Sequence, residues 1–175
     1  MVKSRPMEPS TQGPSTSFQC IDAIEVSLCI EKQGLAFYEK AVKGAVDVRV
    51  REMFSRLAGE EKEHIQSLQT KAQFLQPAVA KNSISRKSQV HAFIAEELEG
   101  KVFPVYGVGG AEPGTAGNDL EALEIGIEAE KRSIEVLEQL IKREKKIDVR
   151  AIFSHLVVEE KRHLAALEEL KQSLS

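Results

Sequence analysis

"FSRLAGEEKEH", residues 54–64, recurs 99 positions later as "FSHLVVEEKRH", residues 153–163. Phe54, Leu57, Glu61, His64 and Leu68 are spaced by three and four residues, as are Phe153, Leu156, Glu160, His163 and Leu167. Each set therefore lies along one face of a helix, and its apolar members assign that face to a core. The Glu and His at the centre of each face are the anomaly. An unpaired charge there would cost on the order of several kcal/mol, and the local sequence supplies no partner. A metal ion would remove the cost, and so would a buried ion pair.

The recurrence is longer than this stretch. Sliding the chain by 99 residues lays 21–75 over 120–174 without a gap, with 18 of 55 positions identical, and "AIEVSLCIEK" (23–32) falls on "ALEIGIEAEK" (122–131). Each copy reads as two helices joined by a short turn. The expected spans are roughly 19–45 and 48–75, then roughly 119–144 and 149–173, with N-caps at Asp47, at Asn118 or Asp119, and at Asp148. Between the copies, 76–118 forms a long crossover holding one short helix over about 87–99 and ending in "YGVGGAEPGTAGN" (106–118). Those glycines lack the G-x-x-x-x-G-K-[ST] spacing of a phosphate loop. A helix of about 27 residues is about 40 Å long, and the crossover is long enough to return along it. The expected fold is all-α: a ferritin-like antiparallel four-helix bundle made of two repeated hairpins, 19–75 and 119–175.

The remainder of the sequence constrains function by exclusion. The 175 residues suit one domain; 29% are charged, 42% are apolar, and the net charge of −3 gives no reason to expect nucleic acid or an anionic membrane as partner. No apolar run approaches the ~18 residues of a membrane span. The opening "MVKSRPMEPSTQGPSTSFQ" is polar, rich in Pro and Ser, and lacks the apolar centre of a signal peptide. Residues 1–18 read as a disordered tail, and the cytoplasm is the expected location. Cys20 and Cys29 match no zinc or thioredoxin spacing and read as buried or idle thiols.

The other two helices complete the pattern. Ile24, Leu28, Glu31, Leu35, Tyr38 and Val42 share one face, and Leu123, Ile127, Glu130, Ile134, Leu137 and Ile141 share another. Glu31 and Glu130 are 99 residues apart, like Glu61 and Glu160, and like His64 and His163. Four carboxylates in one core layer, with no Lys or Arg on the stripes, would repel strongly. Two divalent cations would balance them, and two neutral imidazoles would complete the ligand set. One Glu from each of two helices plus a Glu-x-x-His from each of the other two is the ligand pattern of di-iron and di-manganese carboxylate bundles.

On "EKQGLAFY" (31–38), "EEKEH" (60–64), "EAEKRSI" (128–134), "EEKRH" (159–163) and "EELEGKVFP" (96–104), the chain resembles the rubrerythrin-like branch of the ferritin-like superfamily. The resemblance implies that Glu61 and Glu160 bridge two metals, that Glu31 and Glu130 are terminal ligands, and that His64 and His163 bind one metal each. The chain departs from the family at Ser133, where rubrerythrins carry a further Glu, and it has no four-cysteine rubredoxin domain.

Neighbouring residues are assigned more modestly. Tyr38 is one helical repeat from Glu31 and reads first as a core tyrosine, with a role beside the metal site as the catalytic candidate. Its repeat mate is Leu137. Glu60 and Glu159 read as boundary ion pairs, His91, His155, Lys32 and Lys131 as surface, and Glu128 as facing a neighbouring helix. Oxygen- and nitrogen-rich ligands suit two Fe ions, with Mn or Zn also accommodated. The expected function is a non-haem di-iron oxidoreductase acting on hydrogen peroxide or dioxygen, as peroxidase or ferroxidase. An iron-binding or storage-type subunit and a structural Zn or Mn bundle are the alternatives. A separate electron donor such as a rubredoxin, and a homodimer, are the expected partners.

Overall fold

The computed structural model describes residues 18–75, 84–104 and 119–174. Residues 1–17 of the expected tail, the stretch 106–118 and the candidate cap Asn118 lie outside them. Helices α1 (Cys20–Gly44) and α2 (Val48–Leu75) form one hairpin, and α4 (Asp119–Arg143) and α5 (Ile147–Leu174) form the other. A shift of 99 residues carries α1 onto α4 and α2 onto α5, both to the residue. In the crossover, α3 (Ile84–Phe93) runs into a π-helical turn over Ile94–Leu98, so this helix begins earlier than its sequence pattern predicts. No strand occurs among the described residues.

Hydrogen bonds at the helix ends give the direction of each helix. Ahead of α1, the Phe18 N–H donates to Glu144 Oε2 at 3.1 Å, and Lys146 Nζ donates to the Phe18 carbonyl at 2.7 Å. The start of α1 therefore sits beside the α4–α5 turn. Asp119, the first residue of α4, accepts from the Val46 and Asp47 N–H groups at 3.0 and 2.5 Å, so the start of α4 sits beside the α1–α2 turn. It follows that α1 and α5 run one way and α2 and α4 the other. This up-down-down-up order forces the crossover to travel the length of the bundle, as in the ferritin-like fold.

Local chemistry explains the ends. Asp47 caps α2, its Oδ1 accepting from the Arg49 N–H at 2.8 Å. Asp148 is not the cap of α5. The helix starts one residue before it, at Ile147, and Asp148 instead accepts from the Val149 N–H and from the Cys20 thiol, each at 3.0 Å. Glu144 serves that end, taking the Lys145 and Lys146 N–H groups at 2.7 and 2.9 Å. Phe18, counted with the tail on sequence, is core: it is buried edge-on between Phe93 and Phe153 at 5.7 and 5.9 Å.

The buried face of α1 is wider than its predicted stripe. Ala23, Val26, Ser27, Ile30, Gly34, Phe37 and Ala41 are buried, whereas Leu28, Leu35 and Val42 are only half-buried. The crossover is the reason. Gly100, at φ 69°, turns the chain in the one conformation that glycine adopts at no steric cost, and its N–H donates to Gln33 Oε1 on α1. Leu98, Val102 and Phe103 are thereby buried over α1. This gives "EELEGKVFP" a structural role: it covers one side of the bundle core.

Candidate metal centre

Six ionisable side chains meet at mid-bundle. Glu31 comes from α1, Glu61 and His64 from α2, Glu130 from α4, and Glu160 and His163 from α5. All are buried except His64, whose side chain is 23% exposed. Two groups have ligand atoms within 4.8 Å of one another: Glu61, Glu130, Glu160 and His163 in one, and Glu31, Glu61 and His64 in the other. Glu61 belongs to both. Glu160 groups only with the His163 half.

In the first group, His163 Nδ1 lies 3.3 Å from Glu61 Oε1, 3.5 Å from Glu130 Oε1 and 3.6 Å from Glu160 Oε2. In the second, His64 Nδ1 lies 3.4 Å from Glu31 Oε2. The two rings stack with centroids 5.8 Å apart and planes 15° apart. Each ring turns its other nitrogen toward a carboxylate of the opposite hairpin. His163 Nε2 is 3.2 Å from Glu60, and His64 Nε2 is 3.8 Å from Glu159. Glu60 and Glu159 also face Arg56 and Arg162, so they are the boundary ion pairs expected. They are also the carboxylates that face the outer nitrogens of both imidazoles, which helical spacing alone did not reveal.

Two hydroxyls enter the cluster. The Tyr38 hydroxyl donates to Glu130 Oε1, and the Ser133 hydroxyl donates to Glu160 Oε1 at 2.7 Å. Tyr38 is therefore both core and site. Burial first, then the Glu130 charge, pushes its pKa well above the ordinary phenol value, so it remains a donor at neutral pH. Ser133 was visible on sequence only as a departure from a family pattern; its bond to Glu160 required the helices to be in place.

Sequestration perturbs the acids. Burial, followed by the neighbouring carboxylates, pushes Glu61 and Glu130 well above the usual carboxylate range. For Glu160 burial acts in the same direction, but the neighbouring His163, Glu130 and Ser133 outweigh it and hold the group low. His163 is driven well above the ordinary imidazole value: burial opposes this, and Glu130, Glu160 and Glu61 overcome it. These directions favour protons on Glu61, Glu130 and His163.

The donor set fits a metal cation. Among the described residues, ten buried side-chain N and O atoms have no hydrogen-bond partner, and eight of them belong to these six residues: both oxygens of Glu31, Glu61 Oε2, His64 Nδ1, Glu130 Oε2, Glu160 Oε2 and both nitrogens of His163. Orphaned polar atoms are rare in native cores. Carboxylate and imidazole donors are those that Fe, Mn and Zn accept.

The other candidates fall elsewhere. His155 and Lys32 are exposed, and His91 is exposed 4.0 Å from Glu25. Glu128 does not face a neighbouring helix. It is exposed and pairs with Lys131 of its own helix at 3.2 Å, because its position points away from the α4 core face. Cys20 and Cys29 are free and half-buried.

The chain matches the rubrerythrin family over residues 22–171. It belongs to the rubrerythrin family. The match spans all four long helices and the crossover. No curated protein and no solved structure matched the chain. No helix among the described residues is long and apolar enough to cross a membrane.

Proposed function

We propose that this rubrerythrin-family chain is a dinuclear non-haem iron oxidoreductase that reduces hydrogen peroxide or dioxygen. The observation that carries the reading is the layer of four buried carboxylates and two imidazoles whose unpartnered atoms converge in two groups sharing Glu61. Glu31, Glu61 and His64 would hold one ion, and Glu61, Glu130, Glu160 and His163 the other. Two iron ions side by side would supply two electrons to one oxidant molecule, one from each ion.

The residues of the chain set the conditions for that chemistry. Glu61 belongs to both groups and would keep the ions adjacent. Glu60 and Glu159 face the outer imidazole nitrogens at 3.2 and 3.8 Å, a placement that would favour the inner nitrogens as ligands. The Tyr38 hydroxyl, protonated and bonded to Glu130, holds a proton beside the reacting centre. The aromatic group of Phe37, Tyr38, Phe54 and Phe103, with ring centroids 5.1 to 6.2 Å apart, excludes water on the α1–α2 side. Electrons would come from a separate carrier such as a rubredoxin, or from Fe(II) itself.

Anaerobic loading with Fe(II), followed by elemental analysis and stopped-flow mixing with peroxide or air-saturated buffer, tests the proposal. Two irons per chain are expected, with faster oxidation by peroxide and turnover only when a donor is added. Mineral of many irons per chain would favour the storage reading instead. Fewer than two irons in folded protein would refute the dinuclear site.

A further inference from the structure

The repeat makes the two halves of the centre comparable position by position, and three differences run in the same direction. Ser133 and Gly34 are repeat mates, each beside a shared or central carboxylate. Ser133 donates to Glu160 at 2.7 Å, whereas at Gly34 a Cβ would fall 2.9 Å from Glu61 Oε1 and there is no side chain to donate. Tyr38 and Leu137 are repeat mates. Tyr38 donates to Glu130, whereas Leu137 offers nothing to Glu31, and both Glu31 oxygens lack a partner. Glu60 stands 3.2 Å from His163, whereas its mate Glu159 stands 3.8 Å from His64. Ligand number and access agree with this order. The His163 group has four ligands, all buried; the His64 group has three, and its imidazole is 23% exposed against 1% for His163.

We propose that the two metal positions are inequivalent and fill in order: the His163 position first and tightly, the His64 position second and reversibly, with Ser133 and Tyr38 as the positioning residues that make the difference. The inference rests on the dinuclear reading above and deepens it. The physical cause is preorganisation. A carboxylate held by a hydroxyl loses less freedom on ligation than one with no anchor, and a partner of this kind is worth about 10–100-fold in metal affinity. The half-exposed His64 position is then where a divalent ion enters from solvent and leaves again. An Fe(II) substrate would exchange there while the buried ion stays.

Anaerobic titration of the full metal-free chain with Co(II), followed by visible absorption and calorimetry, tests this. Two successive uptake steps alone would not suffice, because repulsion between neighbouring ions separates the steps even in a symmetric site. The identity of the first position decides. His64→Ala should abolish the weak step and preserve the tight one, whereas His163→Ala should abolish the tight one. Tyr38→Phe and Ser133→Ala each remove one hydroxyl with little change of volume. Each should weaken the first step about tenfold and leave the second within about twofold, and the double variant should bring the two steps together. Circular dichroism on every variant, with Glu128→Ala as the unaffected control, separates these effects from misfolding. Indistinguishable curves for His64→Ala and His163→Ala, or hydroxyl deletions that weaken both steps alike, would overturn the ordered filling while leaving the dinuclear centre intact. No Co(II) and no Fe(II) uptake by folded protein would instead remove the dinuclear centre itself.

Discussion

The α1–α2 hairpin and the α4–α5 hairpin share helix bounds to the residue after a 99-residue shift, yet they build unlike halves of one site. Where they agree, they bring the same donors to mid-bundle: Glu31 and Glu130, Glu61 and Glu160, His64 and His163. Where they differ, they supply surroundings: Gly34 against Ser133, Tyr38 against Leu137. Each repeat also serves the half completed by the other, since Tyr38 of α1 bonds Glu130 of α4 and Glu60 of α2 faces His163 of α5. The comparison teaches that an approximate repeat can supply a symmetric donor set and an asymmetric environment together. On the proposed reading, the donor set would decide how many ions are held, and the environment how each is held.

The sharpest way to break this comparison is at the shared residue. Glu61→Ala should remove a ligand from both groups, and affinity for both ions should fall by at least about 100-fold, beyond the range for outer partners. Calorimetry that still showed one tight ion would mean that Glu61 serves only one half. Next comes the terminal pair. Symmetry alone would make Glu31→Ala and Glu130→Ala equal, whereas ordered filling would make them unequal. Glu130→Ala should weaken the tight ion, and Glu31→Ala only the weak one; equal losses in a Mn(II) titration would restore the symmetric view.

A smaller effect is the pH dependence of uptake. Glu61, Glu130 and His163 all hold protons above their ordinary values in the metal-free chain, so an incoming cation must expel them. Affinity should therefore rise with pH, by about a decade per unit for each proton released. Calorimetry in buffers of different ionisation enthalpy counts those protons. A count of zero would mean that the carboxylates are already bare.

The smallest effect lies at the hairpin turns, which are held differently although the helices match. Asp119 of α4 holds the α1–α2 turn from outside, and Glu144 holds the α4–α5 turn from within. Burial acts to raise the Glu144 group, but the backbone N–H groups of Lys146, Lys145 and Phe18 prevail and hold it below the usual carboxylate value. With the folded value depressed, its contribution is present above the unfolded carboxylate pKa and is lost as pH falls through the folded one. Glu144→Ala should cost about 1–3 kcal/mol near neutrality and less in acid, read from thermal melts at both pH values. An equal loss at both would mean that its charge is not what holds the turn.

Much of this molecule was legible in its sequence because helices are local. Three-and-four spacing placed four helices within one or two residues of their ends, and the interruption of each apolar stripe by Glu or His identified the side chains that meet at mid-bundle. The 99-residue offset paired them across the chain. Other features depended on contacts between segments distant in sequence, and no local pattern encodes those. The second roles of Glu60 and Glu159 beside the histidines come from α2 meeting α5. The Ser133 anchor comes from α4 meeting α5, and the Tyr38 anchor from α1 meeting α4. Phe18 is core because α3 and α5 arrive on either side of it, and the buried face of α1 is broad because the crossover folds back over it. The sequence by itself determined which ionisable groups occupy the core, since periodicity dictates the face of a helix on which a residue lies. Only the tertiary structure decided which hydroxyl reaches which carboxylate, because a hydrogen bond a few tenths of an ångström long or short depends on how the helices are set against one another.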